Sequence, residues 1–457
     1  MDWQADLLPA ALLGGAFVLL LVIAEAWTVL ASPAPERPRK LVHLVGGLIC
    51  LSFPWLLRSP WTVGVLAIGL TVLFVASRSL GMLRCLHGVE RKSRGVEYYP
   101  AMVFTLFWLA HERPWLYAAS LLALAVADAL AALVGKRYGR ILYEVDDEKR
   151  SLEGSLTFFL AALVAIGLPL VLSNEATLPS FYDRLPIAVV TAILVTLFEA
   201  ISRHGRDNLW VPLGTYMVLS RLTGAAENEA YYQVLSLSSA CLIVGVLGMF
   251  SRALNVGATL TLMLAVYGCW ALASFDWALP LLSAVVVSSL VCIWLPPTWP
   301  LRARAMLHMV LPVVLVAAAG DLCAIADRTY AYDLLYAAFV GGCLMVLVQN
   351  LWHGEIRRRR TGGVPMAVWC AGISLLATGA IAVPLWIREI GMTLQFAVLL
   401  LAIAAIACIW HDRLFMGYAP HTQRPALVAR RHLSIALAMA ACAAMQASGL
   451  IPLLSPR

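Results

Sequence analysis

The stretch ADALAALVGKRYG runs from Ala127 to Gly139 and carries one carboxylate inside an otherwise apolar segment. Asp128 stands seven residues before Gly135, which on a helix is about two turns. A charged side chain is costly in hydrocarbon, so an acid in such a segment indicates a functional site. A helix that ended at Gly135 would account for that glycine and for Lys136, because helix C-termini favour glycine and cations. Both interpretations stay open for these two residues, but the structural one does not explain Asp128.

The composition around this stretch is that of a membrane protein. Of the 457 residues, 61% are hydrophobic and 13% are charged, and the mean hydropathy is +0.84. Soluble domains are only about half apolar. Sixteen apolar runs approach the roughly 20 residues that a spanning helix needs. We therefore predict an all-α, polytopic integral membrane bundle of about 16 transmembrane helices, although the short runs near Phe104 and Met217 could be re-entrant.

The distribution of basic residues predicts the orientation of the chain. If all 16 runs cross the membrane, 26 of the 33 lysines and arginines fall on one side. Cytoplasmic loops retain Lys and Arg, so both termini are predicted outside and the basic side in the cytoplasm, in a bacterial inner membrane. The net charge of +7 then lies beside anionic headgroups. Membrane lipids are the expected partners, and nucleic acid is not.

A second stretch, KRSLEGS from Lys149 to Ser155, precedes another apolar run. The amides at the start of such a helix bind phosphate oxygens, and Lys149 and Arg150 would neutralise their charge. The alternative is a serine N-cap beneath a belt of interfacial bases. No GxxxxGK[ST] motif occurs anywhere in the chain, which excludes a P-loop nucleotide site.

A third stretch combines EAIS, from Glu199 to Ser202, with GRDN, from Gly205 to Asn208. Acid and amide oxygens beside a phosphate site are the ligands that Mg²⁺ prefers, and it shares them with substrate phosphates. The alternative is that Asp207 and Asn208 form only a turn and an N-cap.

These motifs, together with Pro212 and with RKLVH from Arg39 to His43, resemble the polyprenol kinase family of dolichol, phytol and farnesol kinases. The CTP-dependent diacylglycerol kinases and, more distantly, the phosphatidate cytidylyltransferases are related to that family. The resemblance covers about residues 36 to 225. It implies a catalytic membrane domain over residues 1–230 and leaves residues 231–457 as an additional eight-helix membrane domain of unknown role.

The resemblance also implies an activity and a site. The expected enzyme transfers the γ-phosphate of CTP, or of another nucleoside triphosphate, to the hydroxyl of a polyprenol, phytol or dolichol type of lipid at the cytoplasmic face. The expected catalytic residues are Asp128, Glu153, Glu199 and Asp207, and the nucleotide would be bound by Gly135, Lys136, Lys149, Arg150, Ser151, Gly154 and Ser155. The expected ligands of Mg²⁺ are Glu199, Asp207 and Asn208, while Arg39, Lys40 and His43 complete the site. Asp128 would orient or deprotonate the alcohol, and exchanging its role with that of Glu199 fits equally well.

Two other functions are compatible with parts of this pattern. A cytidylyltransferase would use the same nucleotide but form a CDP-lipid by attack on its α-phosphate. A transporter is suggested by 16 spans with two short segments, but the charged residues collect on one side, which favours an enzyme. In the second half, His308, Gln349, Asn350, His353 and the pair His411–Asp412 are polar residues near cytoplasmic helix ends, and the arginine run at 357–360 is interpreted as a topology anchor. The polar residues could line a lipid groove or form a contact in a homo-oligomer.

Overall fold

The structure is a computed structural model that describes residues 3–33, 36–87, 95–146, 148–175, 178–225, 228–251, 254–294, 301–355, 366–388, 390, 393–415 and 425–449. The described chain is almost entirely helical, with one two-stranded sheet. It divides into two compact units. The first consists of Met1–Tyr143 and Glu148–Val234, and the second of Glu144–Asp147 and Leu235–Arg457.

The first unit begins with a short 3-10 helix, Trp3–Asp6. Its α-helices are α1 (Leu7–Ala31), α2 (Glu36–Leu51), α3 (Phe53–Leu56), α4 (Pro60–Ser79), α5 (Arg84–His87), α6 (Gly95–Ala110), α7 (Pro114–Ala125), α8 (Ala127–Tyr138), α9 (Leu152–Leu172), α10 (Phe181–Ile201), α11 (Asp207–Thr223) and the start of α12 (Glu229–Phe250). Between α8 and α9, the strand β1 (Leu142–Val145), whose last two residues are assigned to the second unit, pairs with β2 (Glu148–Ser151).

The second unit contains the rest of α12 and the remaining helices. These are α13 (Val256–Leu272), α14 (Phe275–Trp294), α15 (Ala303–Ile325), α16 (Thr329–Glu355), α17 (Met366–Ile387), α18 (Leu394–Phe415) and α19 (Pro425–Ala447). The most buried of them is α16, which carries the fully buried aromatic side chains of Tyr336 and Phe339. It therefore forms the core of this unit.

Many of these helices have the length and composition of membrane spans. Among the described residues, 11 helices are long and apolar enough to cross a membrane, and Val256–Leu272 and Leu394–Trp410 are shorter apolar helices. Large apolar side chains such as Leu8, Ile68 and Met249 are exposed, as contact with lipid requires. The chain is therefore an all-α, multi-pass integral membrane protein. The total of 16 spans and the sides of the termini stay predictions.

The helix that carries Asp128 continues through the junction of α7 and α8. The Val126 N–H donates to the Leu122 carbonyl, and the Leu130 N–H donates to the Val126 carbonyl, each at 3.0 Å. The two helices thus form one span, Pro114–Tyr138, with Asp128 inside it. The interpretation of Gly135 as the residue that ends this helix is wrong, because α8 extends to Tyr138. The absence of a side chain at Gly135 instead lets α9 approach.

The polar segment between α8 and α9, which the sequence left without secondary structure, forms the β1–β2 pair. Asp146, at the end of β1, has φ of 55°. Asp tolerates this left-handed conformation better than most residues, because its short side chain can bond locally. As a consequence, Lys149, Arg150 and Ser151 are held on a strand directly before α9.

Candidate functional site

A cavity of about 470 Å³ lies within the first unit. This volume is typical of a small-molecule site. Its lining includes every residue of the predicted site except Glu153, although the predicted motifs are scattered from α2 to α11. The charged residues gather at one end of the cavity, and the walls formed by α1, α2 and α4 beyond them are mostly apolar.

Asp128 has a counter-charge at the charged end. Lys40 Nζ lies 2.5 Å from Asp128 Oδ2, and His43 Nε2 lies 3.6 Å from the same oxygen. Lys40 and His43 are three residues apart on α2, so both point from one helix face towards α8. In the described structure, His43 Nε2 has no hydrogen-bond partner. The acid inside the span is thus stabilised by a base from another helix, with an imidazole beside it.

Asp207 and Asn208, at the start of α11, are held by a close contact with the backbone of Gly95. Asn208 Nδ2 donates to the Gly95 carbonyl at 2.9 Å, and the Asn208 N–H donates to Asp207 Oδ1 at 3.1 Å. A Cβ at Gly95 would stand 2.8 Å from Asn208 Nδ2 and 3.1 Å from the Cα of Gly205. Gly205 itself has φ of 80°, which favours glycine. Two glycines therefore place these polar residues at the first turn of α11.

The electrostatics of Asp207 favour a cation in this part of the cavity. Burial and the carboxylate of Asp128 raise the pKa of Asp207 above its usual range. Two carboxylates that share a partly dehydrated space repel each other, and a positive charge between them relieves the repulsion. The described residues contain no group of three or more His, Cys, Asp or Glu side chains able to hold a metal. The donor set fits Mg²⁺ instead, which uses one or two carboxylates together with substrate phosphates.

Glu199 is held by an arginine in a pair that the sequence did not predict. Arg150 Nη1 forms an ion pair with Glu199 Oε1, and Arg150 Nη2 donates to the Ser202 carbonyl at 2.7 Å. The two side chains are only 15% and 11% exposed. Arg150 also lies 3.7 Å from Glu148 Oε2. This guanidinium therefore joins β2 to the C-terminal end of α10, where a helix favours a cation.

The start of α9 is already partly satisfied by the protein. Ser151 is its N-cap, because its Oγ accepts the Gly154 N–H at 3.1 Å, and this confirms the N-cap interpretation. The Leu152 N–H donates to the Ile141 carbonyl at 2.9 Å. Two of the amides expected to bind phosphate therefore have protein acceptors. Lys149 and Ser155 line the cavity beside these amides. The phosphate site therefore stays a prediction.

Glu153 is separated from the other predicted site residues. It does not line the cavity, and its Oε1 accepts the N–H groups of Arg140 and Ile141 at 2.9 and 3.1 Å. These bonds fix the chain where it enters β1. Its position therefore does not support the predicted catalytic role of Glu153.

The cavity also has lining residues that sequence reasoning missed. Arg78 Nη1 lies 2.5 Å from Glu97 Oε1, and Tyr99 is a half-buried residue whose buried hydroxyl has no hydrogen-bond partner in the described structure. Glu97 ends a polar loop, Arg91 to Glu97, of which residues 91–94 lie outside the described residues. No sequence pattern separates the residues of α4 that line the cavity from those that face lipid, because a spanning helix is apolar on all its faces.

The polar residues of the second half do not line this cavity. Gln349 Nε2 donates to Ser434 Oγ at 2.9 Å, and the His308 and His432 rings lie 5.2 Å apart, within the second unit. The side chains of His353, His411 and Asp412 lie outside the described residues, as does the arginine run at 357–360. A lipid groove or a homo-oligomer contact stays a prediction for this region.

The contact between α8 and α9 gives a prediction about stability. A Cβ at Gly154 would stand 3.0 Å from Ser151 Oγ and 3.3 Å from the Ala131 carbonyl oxygen. We expect Gly154→Ala to lower the free energy of unfolding by about 1–3 kcal/mol, because backbone must move to relieve the overpacking. Thermal unfolding in detergent, followed by tryptophan fluorescence, measures this effect.

The matched control is Gly69→Ala on α4. A Cβ there meets nothing within 4 Å. Alanine is the better helix former by up to about 1 kcal/mol, so this variant should be as stable as the wild type or slightly more so. Equal unfolding temperatures for the two variants would contradict the close α8–α9 packing.

Comparison with known proteins adds an independent finding. The chain is similar to the phytol kinase of Synechocystis sp. (strain ATCC 27184 / PCC 6803 / Kazusa), with 34% identity over 221 residues. The matched region covers 47% of this chain and 90% of that relative. No family model matches the chain, and no solved structure matches it.

Proposed function

The chain belongs to the polyprenol and phytol kinase family, and from this premise we propose that it transfers the γ-phosphate of CTP to the hydroxyl of a lipid alcohol of the phytol or polyprenol type. Mg²⁺ is the proposed cofactor. The proposed location of the site is the cytoplasmic face of a bacterial inner membrane, because most basic residues lie on that side of the predicted topology.

The observation that supports this proposal is that charged and apolar side chains line one and the same cavity. Lys149, Arg150, Asp128 and Asp207 line its charged end, and apolar side chains of α1 and α4 line the rest. A phosphorylated nucleotide fits the first part, and the hydrocarbon tail of an alcohol fits the second. Phosphoryl transfer asks the protein mainly for positioning and for neutralisation of charge. The cavity provides positioning and charge neutralisation at the place where a charged nucleotide and an apolar alcohol would meet.

Asp128 is the proposed partner of the alcohol, because it lines the cavity and lies well inside a membrane span, Pro114–Tyr138. Its carboxylate, held by Lys40 at 2.5 Å, would accept a hydrogen bond from the hydroxyl and then its proton. A bond forms between the alcohol oxygen and the γ-phosphorus, the bond from that phosphorus to the bridging oxygen breaks, and CDP leaves. Lys149 would neutralise phosphate charge near the start of α9.

Asp207 and Asn208 are the proposed metal-binding residues. The Asn208 amide nitrogen donates to Gly95, so its oxygen is the acceptor atom that remains for a cation. When bound, Mg²⁺ would neutralise charge on the β- and γ-phosphates. Glu199 is proposed to position Arg150 instead of binding the metal, because its carboxylate is engaged by that guanidinium.

The direct test is a transfer assay with labelled nucleotide. The purified protein in detergent with Mg²⁺ is given CTP or ATP labelled at the γ-phosphate, with phytol, farnesol or dioleoylglycerol as acceptor. We expect the label on a prenyl alcohol with CTP, and loss of transfer when EDTA removes the metal. In a parallel assay with CTP labelled at the α-phosphate and a phosphorylated lipid as acceptor, label on the lipid would instead indicate a cytidylyltransferase. Absence of transfer to every alcohol from either nucleotide would overturn the proposal.

A further inference from the structure

The β1–β2 hairpin, which carries Lys149 and Arg150, has one buried residue in each strand. These are Val145, the last residue of β1, and Ser151, the last residue of β2. An isolated two-stranded hairpin is marginally stable at best in water, so its position depends on what it packs against. Val145 lies next to the turn, whereas Ser151 leads into α9. The hairpin is therefore held at two opposite ends.

The end at Val145 belongs to the second unit, to which Glu144–Asp147 is assigned. Val145 is completely buried there. A Cβ at Gly257, near the start of α13, would stand 2.9 Å from Val145 Cγ1 and 3.4 Å from Val145 Cα. The same Cβ would stand 2.9 Å from the Cβ of Ala303, the first residue of α15. We call Gly257 and Ala303 the hairpin seat, because Val145 lies on them without space to spare.

The seat is fixed by backbone bonds within the second unit. The Asn255 N–H donates to the Leu301 carbonyl at 3.1 Å, and Leu254 and Leu301 form a parallel β-bridge. The side chain of Asn255 caps α13, because its Oδ1 accepts the Ala258 N–H at 2.8 Å. These bonds join the segments that lead into α13 and α15. The hairpin seat is therefore a firm support.

Between its two buried ends, the hairpin presents two basic residues to the cavity. Lys149 and Arg150 both line it. The ion pair with Glu199 holds Arg150 from α10, whereas the side chain of Lys149 is exposed. Lys149 therefore depends on the position of its strand more than Arg150 does. A shift of about 1 Å in a group that orients a substrate can lower the rate about 100-fold.

We propose that Val145 is a positioning residue for phosphate transfer: the hairpin seat holds it so that Lys149 faces the phosphates of the nucleotide. The second unit thereby contributes to the reaction, although none of the described residues of α13 to α19 lines the cavity. This inference rests on the proposed function, because it concerns the nucleotide site of that reaction.

Gly257→Ala tests the seat from the second unit. Its new Cβ overlaps Val145 Cγ1, so the end of the hairpin must move. We expect KM for CTP to rise about tenfold or more, because Lys149 moves with its strand, while KM for the alcohol stays unchanged. Steady-state rates with each substrate varied in turn measure both constants. A partly unfolded sample would instead lower the apparent kcat and leave both KM values as they are.

Two double variants identify the contact that matters. Adding Val145→Ala to Gly257→Ala removes the methyl groups that the new Cβ meets, so KM for CTP should return close to the wild-type value. Adding Ala303→Gly to Gly257→Ala relieves only the contact with α15, so KM for CTP should stay high. If Ala303→Gly rescues and Val145→Ala does not, Val145 has no positioning role.

Gly268→Ala is the matched control on the same helix. A Cβ at Gly268 would stand 3.6 Å from Val314 Cγ1 of α15, which is an ordinary contact distance. This variant makes the same chemical change in α13 and also faces α15, but away from the hairpin seat. Both KM values should equal those of the wild type.

Limited digestion with trypsin reports the position of the hairpin without any catalysis. Cleavage after Lys149 or Arg150 requires the strand to open locally, so it measures how firmly the hairpin is held. Gly257→Ala should be cut there faster than both the wild type and Gly268→Ala. Mass spectrometry of the fragments identifies the cleaved bonds.

The outcomes separate this inference from the proposed function. If the wild type phosphorylates an alcohol but Gly257→Ala keeps the wild-type KM for CTP, the positioning role is wrong and the kinase function stands. If the wild type phosphorylates no alcohol, the proposed function fails. Digestion then still decides whether the seat holds the hairpin: unchanged cleavage after Lys149 and Arg150 in Gly257→Ala would overturn it.

Discussion

Asp207→Asn is expected to lower kcat for phosphate transfer by about 100- to 1000-fold, the usual effect of removing one group that stabilises charge in the transition state. The side chain keeps its size, but its negative charge beside Asp128 is lost. Because Asp207 is proposed to bind the metal, more Mg²⁺ should also be needed for half-maximal activity. Steady-state rates at increasing Mg²⁺ concentration measure both effects.

Asp183→Asn is the matched control for this change. Asp183 lies in the first turn of α10, accepts the Ser180 hydroxyl at 2.7 Å, and does not line the cavity. It should leave the rate and the Mg²⁺ dependence unchanged. If Asp207→Asn folded normally and kept turnover within about twofold of the wild type, the assignment of Asp207 to the metal would be untenable.

The second large effect is expected at the ion pair of Arg150 and Glu199. Arg150→Ala leaves a mostly buried carboxylate without its partner, which typically costs about 3–5 kcal/mol of the free energy of unfolding. The double variant Arg150→Ala with Glu199→Ala removes both charges, so most of that stability should return. Activity should stay low in both, because Arg150 is also lost from the phosphate-binding end of the cavity. Thermal unfolding and turnover together separate the two roles.

Arg113→Ala provides a comparison at an exposed ion pair. Arg113 Nε lies 3.3 Å from Glu175 Oε1, and both side chains are about one-third exposed. Its loss should cost no more than about 1 kcal/mol and leave turnover intact. Should Arg150→Ala unfold no more readily than Arg113→Ala, the contact with Glu199 does not hold β2 on α10. Should the double variant recover turnover, Arg150 has no role in transfer.

The helices were predictable because hydrophobic runs of spanning length leave little choice of structure in lipid. The short runs near Phe104 and Met217 are the helices α6 and α11, and both pack against the largely buried α7. Their lengths alone did not say whether they cross the membrane. The β1–β2 pair was missed because strands of four residues are too short to show a period of two.

The sequence was enough to predict which residues belong to the site, but not which of them form ion pairs. Charge in apolar segments singled out Asp128, Glu199 and Asp207, and all three line one cavity. The bonds that organise them join residues far apart in the chain, 88 positions for Lys40 with Asp128 and 49 for Arg150 with Glu199. A single sequence does not say which base meets which acid.

Glu153 was predicted to belong to the site but does not line the cavity. Glu153 is an acid in the same motif, KRSLEGS, as Lys149 and Ser155, which line the cavity. Its carboxylate nevertheless accepts hydrogen bonds from the backbone of Arg140 and Ile141. Whether a carboxylate turns towards a cavity or towards a nearby loop depends on helix rotation. Composition and spacing do not fix that rotation.

The contact between Lys40 and Asp128 has a consequence for how the protein is made. A carboxylate near the middle of a helix opposes insertion into the bilayer by about 2.5–3.5 kcal/mol. The helix α2 precedes α8 in the chain, so Lys40 is synthesised before the acid that it neutralises. We therefore expect insertion of α8 to be favoured when α2 is already in the membrane, because the ion pair lowers the cost of burying Asp128.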